Sequence, residues 1–136
     1  MTSKPVPVPD AVSAAYWDGA VAGELRVSRC APRGHLSHPP DVSCPVCGST
    51  TLEPVPVSGH GSVYSFTVVH QAFDSAFLSE LPYVVALVEL DDQPGLRVLT
   101  NLVECDVDAV EIGMPVEVTF EARDGVVIPQ FRPRLP

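Results

Sequence analysis

Residues 61–133 alternate strand-like runs with one short helical stretch, and the order of those runs limits the fold more than any other feature. GSVYSFTVVH (61–70) is rich in β-branched and aromatic residues, as strands are. A loop of about a dozen residues leads to PYVVALVEL (82–90), which is apolar on both faces. Asp91-Asp92-Gln93-Pro94-Gly95 reads as a turn, and LRVLTNLVE (96–104) as the return strand. DVDAVEIG follows, with acidic residues early, Val107 and Val110 on one side and Gly113 as a stop, which predicts a helix of one or two turns. PVEVTFEAR (115–123) alternates, with Val116, Val118, Phe120 and Ala122 expected inward. Asp124-Gly125 is a primed hairpin turn. VVIPQFRP (126–133) closes the pattern, and Pro129, lacking an amide hydrogen, marks an edge or bulged strand. Three strands, a short helix and two strands is the order of a five-stranded OB barrel. A small open β-sandwich is the alternative, but it gives the lone helix no natural place.

The expected fold is therefore mostly β, in three parts: an N-terminal extension and helix (1–25), a zinc-ribbon-like element (26–57) and the barrel (58–136), with its short helix between barrel strands three and four. The 15 prolines, roughly twice average usage, suit short strands and rigid connections. In the first part Asp10 can cap a helix in which Val12, Ala15, Tyr16 and Gly19 fall at helical spacing, and Gly23 can stop it. Tyr16-Trp17 is its largest apolar feature. The two rings either pack on the chain's own core or are offered to a partner.

In the second part Leu25, Val27 and Arg29 read as a short strand leading into Cys30. CAPRGHLSHPPDVSCPVCGST (30–50) is rich in turn residues and poor in core residues, so apolar burial alone cannot hold it. Cys44-Pro45-Val46-Cys47-Gly48 is a metal knuckle: two thiolates three positions apart, followed by a glycine that lets amides turn toward the sulfurs. Zinc takes four ligands, normally from two such knuckles. The partner knuckle starts at Cys30, but Arg33 stands where its second cysteine would fall. Two outcomes stay open. His35 or His38 supplies a nitrogen to a Cys30/Cys44/Cys47 site, or the metal is lost and packing holds the turn. A zinc ion here would be structural, because a closed thiolate shell leaves substrate no position.

Charge excludes some functions. The chain has 17 acidic against 8 basic side chains, and residues 58–136 hold twelve of the acidic ones. Such a surface lacks the Lys/Arg footprint that displaces counterions from a phosphate backbone, so nucleic acid is not an expected partner. No apolar run reaches the ~18 residues of a membrane span, and MTSKPVPVPD lacks a signal peptide's hydrophobic stretch. A cytoplasmic location is the expectation, and there cysteines serve metals or packing rather than disulfides.

Catalytic candidates are few. His70, at the end of the first barrel strand, has Asp74 four positions on, but a loop does not guarantee that they meet. His60, in Ser58-Gly59-His60-Gly61, has neither the helix nor the lysine of a phosphate loop after it, and two glycines opening a curved strand explain the pattern better. Cys105 sits among Glu104, Asp106 and Asp108, which would suppress its thiolate. Asp106, Asp108 and Glu111 read as a solvated acidic first turn.

The ordered words Tyr16-Trp17-Asp18-Gly19, Gly23-Glu24-Leu25, Cys30, Pro39-Pro40, Cys44-Pro45-Val46-Cys47-Gly48, Gly59-x-Gly61, Tyr64-Ser65-Phe66-Thr67-Val68-Val69-His70, Pro82-Tyr83, Val88-x-Leu90 and Ile112-Gly113-Met114-x-Val116 carry a family resemblance over roughly residues 12–133. The chain resembles the acyl-CoA-associated OB-fold proteins with an N-terminal rubredoxin-like zinc ribbon, long catalogued as domain of unknown function thirty-five. Arg33 is its clear departure. The resemblance implies a small accessory subunit beside a thiolase-superfamily, lipid-transfer-protein-like enzyme, in condensation, acyl transfer or retro-aldol cleavage of acyl-CoA thioesters. It implies a hetero-oligomer, with the CoA thioester held by the partner and no organic cofactor on this chain. Exposed Tyr16, Trp17, Phe73 and Phe77 would then anchor the partner. The competing expectation is a freestanding acyl-CoA-binding protein or enzyme using His70 or Asp74.

Overall fold

A computed structural model describes residues 4–135. Its first element is the helix α1 (Ala14–Val21). Asp10 fastens the turn before it rather than the helix itself: the Ser13 amide donates to Asp10 Oδ1 at 2.8 Å, and the Asp10 amide donates to Ser13 Oγ at 3.1 Å. The helix ends where expected. Gly23 has φ +78°, its amide donates to the Ala20 carbonyl, and the Glu24 amide reaches back to the Gly19 carbonyl at 2.8 Å. Only a residue at ease with positive φ closes a helix in this way.

A three-stranded antiparallel sheet follows, in the order β2-β1-β3, from β1 (Arg26–Cys30), β2 (Leu36–Ser37) and β3 (Leu52–Pro56). Next comes a closed barrel in the order β4-β5-β6-β8-β7, made of β4 (His60–Val69), β5 (Tyr83–Leu90), β6 (Arg97–Leu102), β7 (Pro115–Arg123) and β8 (Val126–Pro133). The sandwich alternative is thereby set aside. β4 is long enough to pair with β5 along its length and with β7 at His60–Ser62, and a bulge at Tyr64 bends it between the two. Gly61 sits so close to β5 that a Cβ would collide with the Glu89 carbonyl oxygen, so a glycine is required there. β8 closes the barrel, yet it meets β6 only at Leu102↔Phe131, so most of its second edge has no ladder. That is the context in which Pro129 is tolerated.

The expected helix between the third and fourth barrel strands is a single 3-10 turn, Val107–Ala109, with Asp106 accepting the Asp108 amide at its start. Inward alternation in β7 holds at Val116, which is fully buried, and reverses near Arg123: Ala122 is exposed, while the Arg123 side chain is only 14% accessible. The reason is a neighbour far away in sequence. Lys4 forms ion pairs with Glu80 and Glu121, and Arg123 donates to the Pro5 carbonyl, so the N-terminal segment covers that end of the hairpin.

One apolar core serves both sheets. Val63, Val84, Ala86, Val88, Leu90, Val98, Leu102, Val116 and Phe131 fill the barrel, and Leu25 and Val27 from the ribbon side belong to the same cluster. Burying each such large side chain is worth about 1.5–3 kcal/mol. A polar clasp adds to this seam: the Gln93 side chain, in the β5–β6 turn, accepts from the Leu36 amide at 2.9 Å and donates to the Leu36 carbonyl at 2.8 Å. Among the described residues no helix is long and apolar enough to cross a membrane.

Candidate metal centre and interface

Two loops of the ribbon repeat one backbone design. In the first, the Gly34 amide donates to the Cys30 carbonyl at 2.7 Å and the Cys30 amide to the His35 carbonyl at 2.9 Å. In the second, the Gly48 amide donates to the Cys44 carbonyl and the Cys44 amide to the Ser49 carbonyl, both at 2.9 Å. Gly34 and Gly48 both take positive φ, +66° and +73°. The first loop is thus a complete knuckle in shape, with Arg33 at the place Cys47 holds in the second.

These loops bring the sulfurs of Cys30, Cys44 and Cys47 within 4.8 Å of one another. Sulfurs sharing a tetrahedral zinc ion lie about 3.8 Å apart, so the gathered thiols fit one ion. Backbone amides reach two of the three sulfurs. The His35 amide donates to Cys30 Sγ at 3.3 Å. The backbone amide of Cys47, and then that of Val46, hold the Cys44 thiol below its ordinary value. Neither imidazole belongs to the cluster. His35 meets Cys30 through its amide instead, and the His38 ring packs on the Tyr16 ring, centroids 5.2 Å apart. Burial lowers His38 to about 4 and leaves its Nδ1 without a hydrogen-bond partner among the described residues.

The four aromatics expected at the surface divide. Phe73 is 95% accessible, and Leu78, in the 3-10 turn that follows it, 61%. Tyr16 is not exposed as expected: it packs on the core and on His38, and burial pushes its hydroxyl up to about 12. Trp17 is half-buried, edge-on to Tyr16 at 4.8 Å. Phe77 is half-buried too, 6.0 Å from Tyr83, and lines a cavity of about 150 Å³ at the barrel end with Glu121 and Arg123. That polar barrel end, tied by Lys4, Glu80, Glu121, Arg123 and Gln130, went unread in the sequence, where only the charged residues at the close of β7 hinted at it.

Among the described residues His70 and Asp74 share no hydrogen bond; His70 is exposed, and Asp74 Oδ1 instead accepts the Ala76 amide at 2.9 Å, capping a 3-10 turn. Burial, and then Asp106, raise the Cys105 thiol, so it is a poor nucleophile.

The family model described as "ChsH2, rubredoxin-like zinc ribbon domain" matches residues 17–53, and "ChsH2, C-terminal OB-fold domain" matches residues 54–121. A DUF35 domain-containing scaffold protein of Methanothermobacter thermautotrophicus is 38% identical over 114 residues, 79% of this chain and 84% of the relative. The chain belongs to the DUF35 family. Another relative, the "Probable enoyl-CoA hydratase alpha subunit" of Thermomonospora curvata, is 42% identical over 134 residues, 98% of this chain. The chain spans about two-fifths of that subunit's length, since the match covers 41% of it. The solved Ltp2-ChsH2(DUF35) aldolase is 43% identical, with a TM-score of 0.83, covering 94% of this chain and 98% of the other.

Proposed function

We propose that this DUF35 chain is a non-catalytic accessory subunit that docks on and completes a thiolase-superfamily, lipid-transfer-protein-like enzyme acting on acyl-CoA thioesters in the cytoplasm. The observation that carries the reading is the near end-to-end likeness to the DUF35 chain of the Ltp2-ChsH2 aldolase. Relatives named as alpha subunits and scaffold proteins point the same way. The chain's own chemistry agrees. His70 and Asp74 are not joined, Cys105 is held as a thiol, and neither arrangement supplies the nucleophile–base pair that covalent catalysis needs.

In this reading the division of labour follows the three parts, 1–25, 26–57 and 58–136. Phe73 and Leu78 present apolar surface to the partner, and Trp17 adds a half-buried ring. Tyr16 and Phe77 stiffen those contacts from behind. Cys30, Cys44 and Cys47 hold a structural zinc ion that ties the two knuckles together and does no chemistry on substrate. The CoA thioester is held by the partner, and this chain needs no organic cofactor.

Purification of the tagged chain from its native host tests the assembly. A thiolase-superfamily enzyme should co-purify in fixed ratio. Recovery of the chain alone and monodisperse would overturn the proposal.

A further inference from the structure

We propose that the metal position formed by Cys30, Cys44 and Cys47 is open, its fourth donor being a small exogenous thiol rather than a side chain of this chain. The inference rests on the zinc reading above and goes beyond it. Because both knuckles share one backbone design, position 33 holds in the first loop the place that Cys47 holds in the second. Arg33 cannot ligate, since its guanidinium stays protonated and has no lone pair to give. The two nearby histidines do not substitute for it. The His35 amide faces Cys30, the His38 ring is packed on Tyr16, and neither ring joins the cluster.

Burial is graded across the site. Cys30 and Cys44 are buried, whereas Cys47 and Arg33 are exposed. The unfilled side therefore faces solvent. Zinc sites with three protein donors accept an outside ligand in the fourth place. Three thiolates make a soft donor set that suits a soft fourth donor. A fourth thiolate would add negative charge, and the exposed Arg33, at the place in its loop that Cys47 holds in the other, carries a cation that would offset part of it.

Loading the full chain with divalent cobalt, whose sulfur-to-metal charge-transfer band grows with each thiolate bound, tests this. Adding 2-mercaptoethanol to the wild-type chain should raise that band saturably by roughly one third, as three thiolates become four. Arg33→Cys should show the higher band from the start and ignore added thiol. It should also lose its metal to a chelator more slowly, on the order of 10-fold. If Arg33→Cys does not fold, the wild-type titration decides by itself. Cobalt bound with a spectrum blind to added thiol would overturn the exogenous thiol donor and leave the zinc reading standing. Failure to bind cobalt or zinc at all would overturn both.

Discussion

The barrel and the ribbon reach order by different means. In the barrel, alternate residues of β5 (Val84, Ala86, Val88 and Leu90) are buried, and strand pairing runs around a closed ring. In residues 30–50 the buried side chains are two cysteines, Cys30 and Cys44, and order comes from the knuckle amides and the clustered sulfurs. Burial of apolar surface is a distributed force, shared among many contacts; a clustered ligand set is local, and each sulfur in it carries a large share of the ribbon's order. A small domain short of core uses a metal in this way.

The largest expected effect is on the ribbon alone. Structural zinc is worth on the order of 10 kcal/mol in small metal-dependent domains. Chelation, or Cys44→Ser, should therefore speed amide exchange in residues 26–52 by about 100-fold or more while β5 keeps its protection. Equal loss of protection in β5 would show that the two regions are one cooperative unit. Phe131→Ala is the converse case. It empties a fully buried position on the strand that closes the barrel, and should cost about 3–5 kcal/mol, with a melting midpoint lower by about 10 °C or more.

His38 sits at the seam between helix and ribbon and sharpens the contrast by pH. Its folded-state value is about 4, lowered by burial, against an ordinary 6.5. Between those values the unfolded chain binds the extra proton, so stability rises with pH there and is lost as pH falls from 6.5 toward 4. The loss should reach roughly 3 kcal/mol, and urea titrations of His38→Phe should show a flatter profile across that window. An identical profile in the variant would mean that His38 is solvated. The smallest effect on stability is expected at Phe73, which touches solvent almost entirely. Phe73→Ala should change unfolding free energy by less than about 0.5 kcal/mol yet weaken association with the partner enzyme about 10-fold or more; an unchanged dissociation constant would remove this loop from the interface.

Much of the barrel was legible: the start of β7 carries a period-two trace, and β5 stands out as a continuous apolar run whose alternate residues the structure buries. What failed depended on partners distant in the chain. Alternation near Arg123 breaks because the N-terminal segment meets it there, Lys4 at Glu121 and Pro5 at Arg123, and Tyr16 is half-buried because His38 meets it across the fold. The helix expected after β6 shrinks to one 3-10 turn because Val110 returns to extended backbone immediately after Ala109. In the ribbon, the departure at Arg33 was visible from spacing. The equivalence of Gly34 and Gly48 was there to be read as well, and it shows that the first knuckle keeps its shape without its second thiol.

Turnover of acyl-CoA thioesters by the purified chain, with and without the proposed thiolase-superfamily partner, bears most directly on the proposed accessory role. The expected result is no turnover by the chain alone and full turnover by the mixture at a fixed ratio of subunits. Turnover by the chain alone, abolished by His70→Ala, would contradict it.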